Sequence, residues 1–172
     1  MKNEKLLQTV LEDLHKSTLA IPVLDGYHVI DGVSDAIMVA KSDDESVEQF
    51  LEDGKLNEGE SFEQRLTKVI HETHNSMKEN GLRKTNLKHL RDYESKLFHF
   101  HLYLQDNIKN NIQVRQVNAY FLEPEANVFY ELSLAAPPLL LKDINDNVTE
   151  NILERLLPLL KNVKYNTKNP LK

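Results

Sequence analysis

Two periods run through the hydrophobic positions of this chain. Over residues 3–16, Leu6, Leu7, Val10, Leu11 and Leu14 fall on one stripe with acids and lysines opposite, the spacing of an amphipathic helix. Over 62–80, Phe62, Leu66, Val69, Ile70, Thr73 and Met77 repeat it. Ser61 with Gln64 forms a capping box at the start of this second helix, and Asn80-Gly81 supplies the stop. A third helix is predicted over 147–163, where Val148, Ile152, Leu153, Leu156, Leu159, Leu160 and Val163 line one side. Asn147 would cap it and Glu150 suits its first turn. Pro158 should kink it, because proline removes a backbone hydrogen bond.

Elsewhere the period is two, or the apolar run is short. Residues 21–41 read as two strands punctuated by Pro22 and by the pairs Asp25-Gly26 and Asp31-Gly32. From 84 to 136 four strands follow at hairpin spacing, near 84–93, 96–105, 111–122 and 127–135. The stretches ESK, DNIKNN and EPEAN separate them, and Pro137-Pro138 ends the last. Between these blocks lies an acidic segment, 42–61. Ser42 with Glu45 fits another capping box, which predicts a short helix through Val47, Phe50 and Leu51 that stops at Gly54. An exposed loop follows.

The predicted order is α-β-β-α-α-β-β-β-β-α. Strands in runs, rather than alternating with helices, argue for an α+β fold. The expectation is a single domain over 1–172: a largely antiparallel, curled meander sheet of about six strands covered by amphipathic helices. A chain of 172 residues is long enough to bury one substantial core.

Charge and composition then narrow the function. The formal charge is −6, whereas a nucleic-acid binder usually presents a basic face, so no nucleic acid is expected as partner. There is no cysteine, which excludes disulfides, thiolate nucleophiles and cysteine-ligated zinc. Glu4, Glu12 and Asp13 interrupt the N-terminal apolar stripe, so it is not a secretory signal. No apolar run approaches the roughly 20 residues that span a bilayer. A cytoplasmic protein without membrane insertion is expected.

The one stretch that invites chemistry is LFHFHLYL, residues 97–104. On a strand, Phe98, Phe100, Leu102 and Leu104 share one face, while Leu97, His99, His101 and Tyr103 share the other. His99 and His101 are thereby neighbours, as in a His-x-His metal site. Zinc needs at least three protein ligands, and His71 or His74, one turn apart on the long helix, would complete the set. The plainer reading is a strand with its apolar face inward, and no metal is assigned. HETH lacks the spacing of a metalloprotease helix. No cofactor is expected, since Gly-x-Gly-x-x-Gly, the phosphate-binding Gly-Lys-Ser/Thr loop and Gly-x-Ser-x-Gly are absent. Asp43, Asp44 and Glu45 do not follow the calcium-loop pattern. Glu123 and Glu125 in EPEAN fit a hairpin turn better than an acid/base pair.

The organisation resembles the PsbP/DcrB-like α/β/α sandwich family. The matching features are IPVLDGYHV, AIMVAKS, a long helix ending MKENGL, the meander through VRQVNAYFLEPEANVFYELSLAAPP, and the closing helix NVTENILERLLPLLKNVKY. The leading helix and the acidic segment depart from it. The resemblance implies a non-enzymatic domain that binds other proteins and carries no site residue across. The expected function is therefore a cytoplasmic protein-binding module, adaptor or chaperone-like, including an accessory role in export. Its contacts would be an exposed sheet edge and Asp43, Asp44, Glu45, Glu52 and Asp53, which suit a partner with a basic surface. The alternatives are an immunity protein that neutralises a toxin, a metal-dependent enzyme built on the His-x-His strand, and a lipid or small-ligand carrier. Edge strands of such a meander can also pair across a two-fold axis to make a homo-dimer.

Overall fold

The computed structural model describes residues 7–9, 19–30, 36–79 and 84–165. Its strands are β1 (Leu7–Thr9), β2 (Leu19–Ala20), β3 (Pro22–Leu24), β4 (His28–Val29), β5 (Met38–Lys41), β6 (Val47–Lys55), β7 (Lys84–Glu94), β8 (His99–Lys109), β9 (Ile112–Glu123), β10 (Val128–Ala135), β11 (Leu139–Leu140) and β12 (Lys164–Tyr165). Its helices are α1 (Phe62–Glu79) and α2 (Asp146–Lys161). An open sheet of eight strands runs β4-β5-β6-β10-β9-β8-β7, with β11 pairing β9 beyond the end of β10. All pairs are antiparallel, and β1 with β3 and β12 with β2 make two small ribbons. The α+β class and the antiparallel meander are as the pattern predicts. The sheet is larger than the six strands expected.

Alternation sorts the sheet's residues onto two faces. Phe100, Leu102, Val117, Ala119, Phe121, Tyr130, Leu132 and Leu134 point to one side, where Ile152, Leu156, Leu159 and Leu160 of α2 close over them. Tyr120 and Phe129 point the other way and meet Leu66 and Val69 of α1, with Leu56 beside them. One helix thus covers each face.

The capping box at α1 forms as the sequence predicts. Gln64 N–H donates to Ser61 Oγ (3.1 Å), and Ser61 N–H donates to Gln64 Oε1 (2.8 Å). The cap of α2 lies two residues earlier than predicted. Asn145, not Asn147, accepts with its side chain, from the N–H of Asn147 (2.8 Å), and Asp146 occupies the first turn. Pro158 sits inside α2, which continues to Lys161.

Two helix predictions give way to strands. Leu7–Thr9, within the expected helix 3–16, is extended and supplies β3 with an antiparallel partner; the other residues of that stretch lie outside the described ones. The expected short helix from Ser42 is instead β6, a central strand between β5 and β10. Hydrogen bonds from two neighbouring strands outweigh the local helical pattern, and Phe50 is buried against Tyr130 (ring centroids 5.2 Å). Ser42 and Asp44 shape the turn into this strand: their side chains bond each other and both accept from the N–H of Ser46. Gly54 does not stop a helix. It sits in β6 at φ 90°, beside a bulge where Asp53 has no partner on β10. The DNIKNN turn shrinks to Asn110 and Asn111, because β8 runs on through Asp106 to Lys109, with Asn110 at φ 58°. Asp31-Gly32 and Asn80-Gly81 lie outside the described residues.

Arg65 of α1 secures the β6 bulge. Its side chain, only 6% exposed, donates to the carbonyls of Asp53 (3.1 Å) and Lys55 (3.0 Å) and to both carboxylate oxygens of Glu60 (2.8 and 3.1 Å). One guanidinium thus satisfies the carbonyl of Asp53, which the bulge leaves without a partner on β10, and that of Lys55 beside it.

Candidate metal centre

His99 and His101 project from β8 on the side away from Phe100 and Leu102, as alternation requires. Their neighbours come from β7, across a hairpin that sets Glu94 opposite His99 and Asp92 opposite His101. Further along β7 the register shifts between His89 and Arg91, leaving Leu90 without a partner. In a regular strand residues three apart face opposite ways. Here the bulge turns His89 and Asp92 to the same side. Leu90 and Tyr93 pack against the α2-side core, which holds the bulge in place.

The result is a carboxylate surrounded by imidazoles. Asp92 Oδ1 lies 2.7 Å from His89 Nε2 and 3.5 Å from His101 Nδ1, and Asp92 Oδ2 lies 3.0 Å from His99 Nε2. Glu94 Oε2 stands 3.8 Å from His99 Nδ1. The rings of His99 and His101 are 4.6 Å apart, and Phe62 of α1 stacks on His101 (4.7 Å) while also touching Phe129. His101 is half-buried, whereas Asp92 and His99 are exposed.

These surroundings set the protonation of the donors. Burial, countered only in part by Asp92, lowers the His101 pKa below its ordinary value, which favours the neutral imidazole a metal needs. Burial pulls the Asp92 pKa upward, but hydrogen bonds from His89 and His99 hold it below the usual carboxylate value. Asp92 is therefore ionised.

One ligand atom from each of Asp92, His99 and His101 lies within 4.8 Å of the other two. Donors around a tetrahedral zinc with bonds of about 2.0–2.1 Å are roughly 3.3 Å apart, and each imidazole stands near that spacing from Asp92, His99 from Oδ2 and His101 from Oδ1. A donor set of two imidazoles and one carboxylate suits zinc and other divalent transition metals, not calcium or magnesium. The residues present fit such an ion.

His99 and His101 are where the sequence puts them, but the third donor is different. Among the described residues neither His71 nor His74 joins a ligand group. His71 is exposed and pairs with Asn75 (3.3 Å). It lies nine residues beyond Phe62, about 14 Å along the helix axis. Asp92 was legible in principle, because a hairpin closing at ESK pairs it with His101. Glu123 is buried, and it acts as a turn residue, as EPEAN predicts. Its carboxylate accepts from the N–H groups of Glu125 (2.6 Å) and Ala126 (2.8 Å) and from the Tyr165 hydroxyl (2.7 Å).

The five acids expected to form one contact region fall into two groups. Asp43, Asp44 and Glu45 are exposed in the β5–β6 turn. Glu52 and Asp53 lie toward the other end of β6, and the run from Val47 to Glu52 alone spans about 17 Å. Asp53 is also engaged by Arg65 (3.2 Å).

No family model matches the sequence, and no curated protein does. A solved structure does resemble it: the solution structure of cyanobacterial PsbP (CyanoP) from Synechocystis sp. PCC 6803. The TM-score is 0.60 over 94% of this chain and 93% of that one, at 8% identity. The fold is PsbP-like. At that identity the likeness concerns topology, and the His/Asp cluster stands on its own geometry. Among the described residues no helix is long and apolar enough to cross a membrane.

Proposed function

We propose that this chain binds a divalent transition-metal ion at Asp92, His99 and His101, and that the bound ion has a structural or regulatory role rather than a catalytic one. The observation that carries this reading is the convergence of one ionised carboxylate and two imidazoles within 4.8 Å, produced by the β7–β8 hairpin register that sets Asp92 opposite His101. Exposure of Asp92 and His99 on the rim of the sheet favours a non-catalytic role, because metal catalysis gains most in a dry, shaped cavity. His89 would orient Asp92 by its hydrogen bond, as outer groups around metal sites commonly do, while Glu94 at 3.8 Å would act on His99 through its charge.

Zinc titration by calorimetry, on protein purified without a histidine tag, tests it. About one ion per chain is expected. Asp92→Ala, His99→Ala and His101→Ala should each weaken binding by at least about tenfold, and His71→Ala with His74→Ala should leave it unchanged. Fewer than about 0.2 zinc per chain at saturation, against the near-stoichiometric loading of a true site, would end this reading.

A second reading, a cytoplasmic protein-binding module for a basic-surfaced partner, is favoured by the three exposed carboxylates of the β5–β6 turn. Salt-sensitive retention of the native chain by cytosolic proteins should disappear in the D43K/D44K/E45K variant. Equal retention of both forms would dismiss it.

A further inference from the structure

On the opposite side of the β7–β8 turn from the histidines, a groove of about 740 Å³ runs between that turn and the end of α2. Tyr93, Leu97 and Val163 contribute its apolar lining, and Leu97 is 48% exposed, the most exposed large hydrophobic among the described residues. Three lysines rim it. Lys96 stands on the turn, while Lys161 and Lys164 come from the end of α2 and from β12, so both walls are positive. Among the described residues none of these lysines forms a salt bridge. The single acid in the lining, Glu94, leans toward His99 (3.8 Å).

This arrangement is out of character for a chain of charge −6, in which acids outnumber bases 27 to 21. An apolar floor between two lysine walls complements a ligand that carries an apolar side chain flanked by negative charges. We propose that the groove is a docking site for an acidic peptide segment of a partner protein: one or two apolar side chains seat on Leu97 and Tyr93, and carboxylates on either side meet Lys96, Lys161 and Lys164. Positive charge on both walls fits an extended segment passing between them, and electrostatic attraction would chiefly raise its association rate. The proposal is independent of metal binding.

The test is fluorescence anisotropy with a labelled, acetylated hexapeptide, EDLFDE, in low salt and in high salt. Two controls accompany it: KRLFRK, with the charges reversed, and EDSSDE, without the apolar pair. The acidic apolar peptide should bind at least about tenfold more tightly than either control, and salt should weaken it. Lys161→Glu combined with Lys164→Glu should abolish binding, and Leu97→Ser should weaken it, both with the circular dichroism spectrum and melting temperature of the native chain. Amide shifts on titration should centre on residues 95–97 and 162–164. Equal binding of acidic and basic peptides would overturn the proposal, as would full affinity in the double lysine variant. Vesicles of phosphatidylserine that bind while EDLFDE does not would instead assign the groove to a lipid surface.

Discussion

Glu48 lies at the centre of the sheet with no exposure to solvent, and its replacement by glutamine tests how a buried carboxyl is carried there. One oxygen, Oε1, accepts from the N–H of Leu24 (3.0 Å); the other, Oε2, has no hydrogen-bond partner. Burial, opposed only by that one backbone bond, raises the carboxyl from 4.5 to about 8. The folded chain therefore holds a proton at pH 7 that the unfolded chain releases. Because the folded value is raised, stability is fully present below pH 4.5 and is lost progressively as pH climbs toward 8. At roughly 1.4 kcal/mol per pH unit the loss is about 3 kcal/mol at pH 7 and levels off at about 5 kcal/mol above pH 8. Glutamine preserves the shape and the acceptor for Leu24 but cannot ionise. In Glu48→Gln that pH-dependent loss should vanish, so its advantage over the native chain should be small at pH 4.5 and grow by about 3 kcal/mol by pH 7. Glu131, also raised by burial, to about 7, is present in both proteins and cancels in the difference. Urea unfolding of both proteins at intervals from pH 4.5 to 8.5 gives the comparison. A stability difference that stays flat over that range would refute the reasoning, because it would mean Glu48 titrates alike in the folded and unfolded chains.

Arg65→Met should cost about 3–5 kcal/mol, because it removes the cation paired with Glu60 and the side-chain donor to the carbonyls of Asp53 and Lys55, leaving Glu60 only the N–H of Asn57, and Arg65→Lys should recover less than half of that. Thermal melts measure both, and a methionine variant melting within a degree or two of the native chain would contradict the role assigned to Arg65. Tyr165→Phe should cost about 1–2 kcal/mol by removing the hydroxyl that reaches the buried Glu123. An unchanged urea midpoint would show that the turn N–H groups alone satisfy that carboxylate.

The elements that local pattern predicted well are those whose pattern agrees with their surroundings. α1 combines a capping box, a single apolar stripe and polar residues elsewhere, so its ends and its buried side follow from neighbours within one or two turns. β8 alternates cleanly, and Phe100 and Leu102 are buried while His99 is exposed. β6 misled because its central residues break that agreement. Glu48 takes a core position, Asp53 is extra to the pairing, and a serine-led acidic stretch before Val47 imitates a helix start. Only pairing with β5, just before it, and with β10, far away in sequence, supplies the hydrogen bonds that make it a strand.

The candidate site shows the same division. The sequence by itself determined that His99 and His101 are neighbours, because side chains two apart on a strand must share a face. It also determined which face of β8 is buried, and that no thiolate chemistry is available. Tertiary structure decided that His89 joins the cluster at Asp92. An unpaired Leu90, pulled into the core beside Tyr93, changes the phase of β7 so that His89 and Asp92 face the same way. Alternation counts residues along one strand, whereas a bulge changes the count on one strand relative to its partner, and that difference exists only once the two strands are paired.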